Sequence, residues 1–211
     1  MLDKETRERI ITLIHKEVVP AMGCTEPMAV ALCTAKATEL LYSKPEKICV
    51  KLSANVLKNA MGVGIPGTGM IGLPIAIALG TLIGKSEYQL EVLKDLTPES
   101  LEEGKRYIGG KHIDISLKED ISEKLYIEIT CTSGDKMSKA IIASSHTNFV
   151  YLEQNGNVLL DKRSGATAEA EDNDIMLNMQ MVHEFATTAP LDEIAFMKEK
   201  EEEAEEKAAE N

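Results

Sequence analysis

The sequence predicts an α+β protein, with N-terminal helices packed on an antiparallel β-sheet and a C-terminal helix. Three observations support this. Apolar residues recur at helical spacing through the first forty residues, and the run from Leu73 to Ile83 is apolar all round. From His112 to Lys162 the apolar residues alternate, in segments joined by short turns, which favours antiparallel pairing. Helical patterning then returns near Asp174.

The first helix covers residues 4–19, with Ile10, Ile14 and Val18 on one face and Pro20 stopping it. Thr25 is placed to cap a second helix, with Pro27 in its first turn, running to about Tyr42. "KICVKLSA" alternates and reads as a strand, and "NVLKNA" as a short helical turn. A glycine loop leads into the apolar helix from Leu73, which stops at Gly84. In "LTPESL", Thr97 caps, Pro98 opens, and Leu96 can staple onto Leu101; that helix ends near Gly109. "HIDISLK", "KLYIEITC" and "KMSKAIIAS" follow as strands, and in "NFVYLEQNGNVLLDK" Asn155-Gly156 marks a hairpin between two apolar runs. The organisation expected is one domain over residues 1–197 and an acidic tail, 198–211, with seven Glu and three Lys.

Composition narrows the function. Hydrophobic residues are 44% of the 211, enough for a real core. A net charge of −12 argues against nucleic acid or an anionic membrane as partner. Four cysteines without CxxC spacing read neither as a zinc site nor as a disulfide framework. The polar N-terminus is no signal peptide, and the longest apolar run is too short to span a bilayer. A cytoplasmic setting is expected.

Three stretches carry candidate chemistry. "GVGIPGTGMIGLP" has the spacing of a dinucleotide fingerprint, but Pro66 stands where a helix should begin and no strand directly precedes it. No lysine falls between Lys58 and Lys85, so it is not a Walker loop. Either its glycines serve a turn, or they let the backbone approach a small anion or carboxylate. Cys24 precedes a helix, whose dipole should lower its pKa; alternatively it is a small buried residue. Glu26 beside it either orients a ligand or favours the helix start. "SSHTNF" gathers polar side chains at a strand end, where His146 could move a proton; an ordinary turn is the alternative. His15 and His112 read as solvated, and Cys33, Cys49 and Cys131 as structural.

"GCTEPMAVAL", "KNAMGVGIPGTGMIGLPIAIALG" and "SSHTNFV" together resemble the L-cysteine desulfidase group, relatives of the iron–sulfur L-serine dehydratases, over residues from about 5 to 198. The resemblance implies a lyase. A [4Fe–4S] cluster with one open iron would act as Lewis acid in β-elimination from L-cysteine or L-serine, giving pyruvate, ammonia and, from cysteine, hydrogen sulfide. It implies Cys24 as a cluster ligand, and Asn59, Gly67, Thr68 and Gly69 as part of the substrate pocket. It also implies Thr147 and Asn148 as substrate-facing residues, and His146 as the base. Single-chain members are considerably longer, with their other cluster cysteines in a C-terminal half that these residues do not include. The chain is therefore expected to be a portion or subunit, inactive and cluster-free alone, with a second chain supplying the remaining cysteines. The alternatives are a metal-free amino-acid-binding or regulatory module and a truncated inactive paralogue. Homo-oligomers are compatible with its apolar helices.

Overall fold

The computed structural model describes residues 2–18, 21–163 and 175–196. The chain divides into two compact units, one of Met1–Pro20 with Gly165–Glu210 and one of Ala21–Ser164. Asp174 and the acidic tail lie outside the described residues.

In the first unit, α1 (Lys4–Glu17) is capped by Asp3, whose carboxylate accepts from the Thr6 N–H at 2.8 Å. The last helix, α6 (Met179–Thr188), starts later than the pattern suggests, because Asn178 caps it by accepting from the Met181 N–H. Residues 175–178 are not helical. Arg7 joins the unit together: it pairs with Glu193 at 2.6 Å and lies 5.7 Å from the ring of buried Phe185. His15 is exposed, as expected, and also stacks on Phe196 at 3.7 Å between centroids.

The second unit is a six-stranded sheet in the order β4-β1-β5-β6-β7-β8 with helices on one face. The strands are β1 (Lys47–Leu52), β4 (Ile113–Leu117), β5 (Tyr126–Ser133), β6 (Lys136–Ala143), β7 (Phe149–Gln154) and β8 (Asn157–Asp161). A separate two-stranded hairpin, β2 (Gly64–Ile65) with β3 (Met70–Ile71), occupies the glycine-rich stretch. The expected α+β class holds, but the sheet is mixed, since β4 runs parallel to β1. The reason lies in the chain between them: α3 (Ala54–Ala60), the hairpin, α4 (Leu73–Leu82) and α5 (Pro98–Gly109) form a long crossover, which can return a strand parallel. The other pairs are antiparallel, and Asn155 and Gly156 turn β7 into β8 with φ of 48° and 82°.

The core lies between the sheet and α2 (Thr25–Leu41) with α4. Ile48, Val50 and Leu52 of β1 and Ile127, Ile129 and Cys131 of β5 point into it by the strand's two-residue period. Leu73, Ile75, Ile77 and Leu79 of α4 are fully buried, each worth about 2 kcal/mol of apolar transfer before entropy is counted. The two helices cross closely at Gly80, where an added Cβ would stand 2.6 Å from the Ala31 carbonyl oxygen.

Candidate functional site

Two buried hydrogen bonds orient α2 on the sheet. The Ser138 hydroxyl donates to the Ala37 carbonyl at 2.6 Å, and the Cys33 thiol donates to the Ala140 carbonyl at 3.4 Å. Four residues back along the helix is about 6 Å, and two residues forward along β6 is about 7 Å. β6 therefore runs toward the N-terminus of α2, and its register with β5 and β1 sends β1 the same way. The start of α2, the exit of β1 into α3, and the turn after β6 thus share one end of the sheet. Ser53 and Ser144 lock that end: the Ser53 hydroxyl donates to the Lys124 carbonyl at 2.8 Å, and the Ser144 N–H to the Leu125 carbonyl at 3.1 Å.

At this end Cys24, not Thr25, is the N-cap of α2, and its side chain makes no capping bond. Its thiol donates to Glu26 Oε2 at 3.1 Å, while Thr25 Oγ1 donates to the same oxygen at 3.2 Å. The other oxygen of Glu26 accepts from Asn59 Nδ2 at 3.0 Å, on α3. This cluster holds the Glu26 carboxyl down at about 2, chiefly through the thiol's hydrogen bond. Burial, with the hydrogen bond to Glu26, pushes the Cys24 thiol up. That reverses the expectation from the helix dipole: the neighbouring carboxylate and desolvation outweigh it.

The glycine hairpin packs beside this cluster. Gly23 has φ +73°, and an added Cβ there would sit 2.8 Å from Cγ of Pro66. Gly67 and Gly69 also take positive φ, at 72° and 61°, to make the hairpin tip. Thr68 is buried and braces that tip: its hydroxyl donates to the Ile65 carbonyl at 2.7 Å and accepts from the Met70 N–H at 3.0 Å. No N–H of Gly67 or Gly69 bonds to a described residue. The loop is therefore a turn, as one reading of its glycines held, whose tip leaves two amides unused.

His146, Thr147 and Asn148 lie in the turn between β6 and β7, at the same end of the sheet. Ser144 enters it with φ +71°, and Asn148 closes it by donating its Nδ2 to the Ala143 carbonyl at 3.0 Å. The His146 ring makes no hydrogen bond among the described residues. Of the residues expected in a site, Cys24 and Asn59 meet through Glu26. Gly67 and its neighbours reach them through Pro66 against Gly23, and the 146–148 turn shares the end without bonding to them. Glu26 is the hub. Its own position hinted at a role, but its link to Asn59 spans 33 residues and no spacing announces it.

The comparisons with known proteins bear on what this end does. The chain is similar to UPF0597 proteins. It is 63% identical over 197 residues to one from Bacteroides thetaiotaomicron, covering 93% of this chain and 46% of that protein. A UPF0597 protein of Porphyromonas gingivalis is 48% identical over 204 residues, and one of Oleidesulfovibrio alaskensis 44% over 196, with 47% and 45% of their lengths covered. The chain spans about half the length of the curated relatives it matches. No family model and no solved structure matches it.

These relatives overturn the resemblance drawn from the motifs. At such identity they carry the UPF0597 name, and none of those names speaks of a desulfidase, a serine dehydratase, a lyase or an iron–sulfur protein. The reading of the chain as a piece or subunit of an iron–sulfur lyase, with its metal-free and truncated variants, is corrected accordingly. The side chains agree: among the described residues no three His, Cys, Asp or Glu groups stand together as a metal site. Cys33 and Cys131 are buried in the core with thiols pushed up by desolvation, Cys131 to about 12. Among the described residues no helix is long and apolar enough to cross a membrane.

Proposed function

We propose that the α2 end of the sheet takes a small ligand carrying a positive charge, and that this ligand switches the Cys24 thiol on. One observation carries the reading. Glu26 is ionised and anchored by three neutral donors, Cys24, Thr25 and Asn59, and pairs with no cation among the described residues. A carboxylate built into place without a counter-charge is a ready receptor for an ammonium group. The same charge keeps the thiol neutral. A cation arriving at Glu26 offsets that charge, so the S–H proton can leave and the sulfur becomes a thiolate able to attack or accept a proton.

The surrounding residues have roles in this reading. Asn59 fixes the carboxylate, and the tip Gly67, Thr68 and Gly69 presents two free amides to the ligand's polar end. Thr147 and Asn148 form the facing turn, and His146 accepts the thiol proton. A cytoplasmic setting is supported by four unpaired cysteines, which persist as thiols in reducing surroundings.

The test follows the alkylation rate of Cys24 by iodoacetamide against pH, with ethanolammonium as probe and potassium as the ionic-strength control. The expected result is a lower alkylation midpoint with the probe, and no such shift in Glu26→Gln. No shift in the native chain, or the same shift in the variant, overturns the reading. His146→Ala should slow the probe-dependent alkylation without moving the binding of the probe.

A further inference from the structure

The opposite end of the sheet holds a second feature, independent of Cys24. Where β1 begins and α5 ends there is a cavity of about 510 Å³, lined among others by Lys44, Glu46, Glu103, Arg106, Tyr107 and His112. That is large enough for a small organic ligand. The floor is rigid. The Tyr107 hydroxyl donates to the Pro45 carbonyl at 2.8 Å and is pushed up to about 12 by burial. Its ring stacks on His112 at 4.8 Å, and Lys44 Nζ lies 5.3 Å from the same ring. His112 Nδ1 sits 2.8 Å from the Glu46 carbonyl oxygen. A carbonyl accepts, so Nδ1 carries a proton and Nε2 is the free ring nitrogen. The imidazole packs so closely on Gly110 that an added Cβ would collide with it. His112 is thus a packed residue rather than a solvated one.

The charges of this cavity are unevenly used. Glu103 is engaged by Lys44 at 2.8 Å, and the Glu46 carboxylate accepts from the Gly134 N–H at 3.1 Å. The Arg106 guanidinium meets no hydrogen-bond acceptor among the described residues. In a chain of net charge −12, a guanidinium on the wall of a cavity that acts on Glu102 and Glu103 only through its charge, with no hydrogen bond to either, stands out. The geometry points to an anion site at this cavity for a phosphate group, inorganic or on a small ester. The planar Arg106 fork takes two phosphate oxygens, and Lys44, on the same wall, exchanges Glu103 for a third. Glu103 is exposed enough to remain solvated when released.

The experiment titrates the full chain with inorganic phosphate and, separately, with phenyl phosphate at constant ionic strength, by calorimetry and by the shifts of labelled amide and Arg106 Nε signals. Saturable binding is expected, with Arg106→Ala weakening it on the order of tenfold or more, as for loss of a charge-assisted bidentate pair. Arg106→Lys should recover part of the loss, since it restores charge without the fork. Lys51→Ala removes an exposed charge elsewhere and should change nothing. Tighter binding of phenyl phosphate marks an ester as the ligand, and equal binding marks free phosphate. Non-saturating titrations, an Arg106→Ala chain that binds like the native one, or shifts confined to the α2 end overturn the proposal. Arg106 lies on the last turn of α5, where alanine is the strongest helix former, so the variant folds.

Discussion

Replacing Glu26 by Gln should make Cys24 more reactive, by an amount the geometry sets. The thiol sulfur lies 3.1 Å from Glu26 Oε2. A thiolate formed there would face a full negative charge. Even screened as in bulk water, two unit charges at that distance repel by about 1.3 kcal/mol, roughly one pKa unit. The glutamine keeps an oxygen for Thr25 and the thiol but removes the charge. The alkylation midpoint of Cys24 should therefore fall, and well below both midpoints the rate should rise by about tenfold. The assay is pulse labelling with iodoacetamide across the thiol range, read by mass. It is best made in a Cys49→Ala background, because Cys33 and Cys131 are buried and Cys49 is half-exposed. Burial is the larger cause of the raised thiol, so the midpoint should fall toward, not below, the ordinary value of 9.0. An unchanged or higher midpoint in Glu26→Gln would refute the claim that this carboxylate keeps the sulfur protonated.

The same substitution carries a prediction about acid. Glu26 titrates at about 2 when folded against an ordinary 4.5, so its contribution to stability is fully present above about 4.5 and is lost as pH falls toward 2. The site is partly solvated, so screening reduces the contribution to about 1 kcal/mol, visible as a native-minus-variant difference in urea midpoint that shrinks between pH 5 and pH 2. A difference that grows on acidification has the wrong sign for this account. Gly80→Ala should lower stability by about 1–3 kcal/mol in urea unfolding, despite alanine's better helix propensity, because the clash is with the backbone of Ala31. Gly23→Ala combines a positive φ with contact on Pro66, and should destabilise by about 1–2 kcal/mol and also alter Cys24 alkylation; a stable variant with native alkylation would show that Pro66 does not position Cys24.

Much of the fold was legible because its signals are local. Thr97 caps α5 through a reciprocal pair with Ser100, the apolar run of α4 is buried on every side, and Asn155-Gly156 turns a hairpin, each as residue types dictate. What stayed hidden depends on tertiary partners. Nothing in the "HIDISLK" alternation says that its neighbour is β1, 65 residues earlier at Ile48, or that the pairing is parallel. His112 looks solvated from its polar flanks, yet a stack on Tyr107 and a close approach to Gly110 hold it. The cap of α2 was misplaced by one residue because Thr25 is the better capping type; its hydroxyl turns to Glu26 instead. The sign of the Cys24 shift was lost for the same reason, since the helix dipole is a local quantity and Glu26 with its burial is not.

The motifs that suggested a lyase separate into two kinds of residue once their neighbours are known. Gly23 answers to Pro66, Gly72 to the Met61 carbonyl that an added Cβ would meet at 2.8 Å, and Gly80 to Ala31. "GCTEP" and "GIPGTGMIG" thus meet as backbone surfaces, and Gly23 and Gly72 are accounted for by the fold with no reaction invoked. Thr68 belongs with them, its hydroxyl enclosed in the hairpin it braces. Cys24, Glu26 and Asn59 do not. A helix N-terminus calls for Ser, Thr, Asp or Asn, and Cys24 supplies no capping bond. Glu26 near a helix start could serve the dipole alone, but its two oxygens are turned to a thiol, a hydroxyl and an amide. Asn59 reaches out of a seven-residue helix to fix that carboxylate rather than to end its own helix. Three side chains whose bonds serve one another, at an end of the sheet the backbone has already closed by other means, are what remains when the needs of folding are subtracted. That remainder is why the ligand site is assigned here.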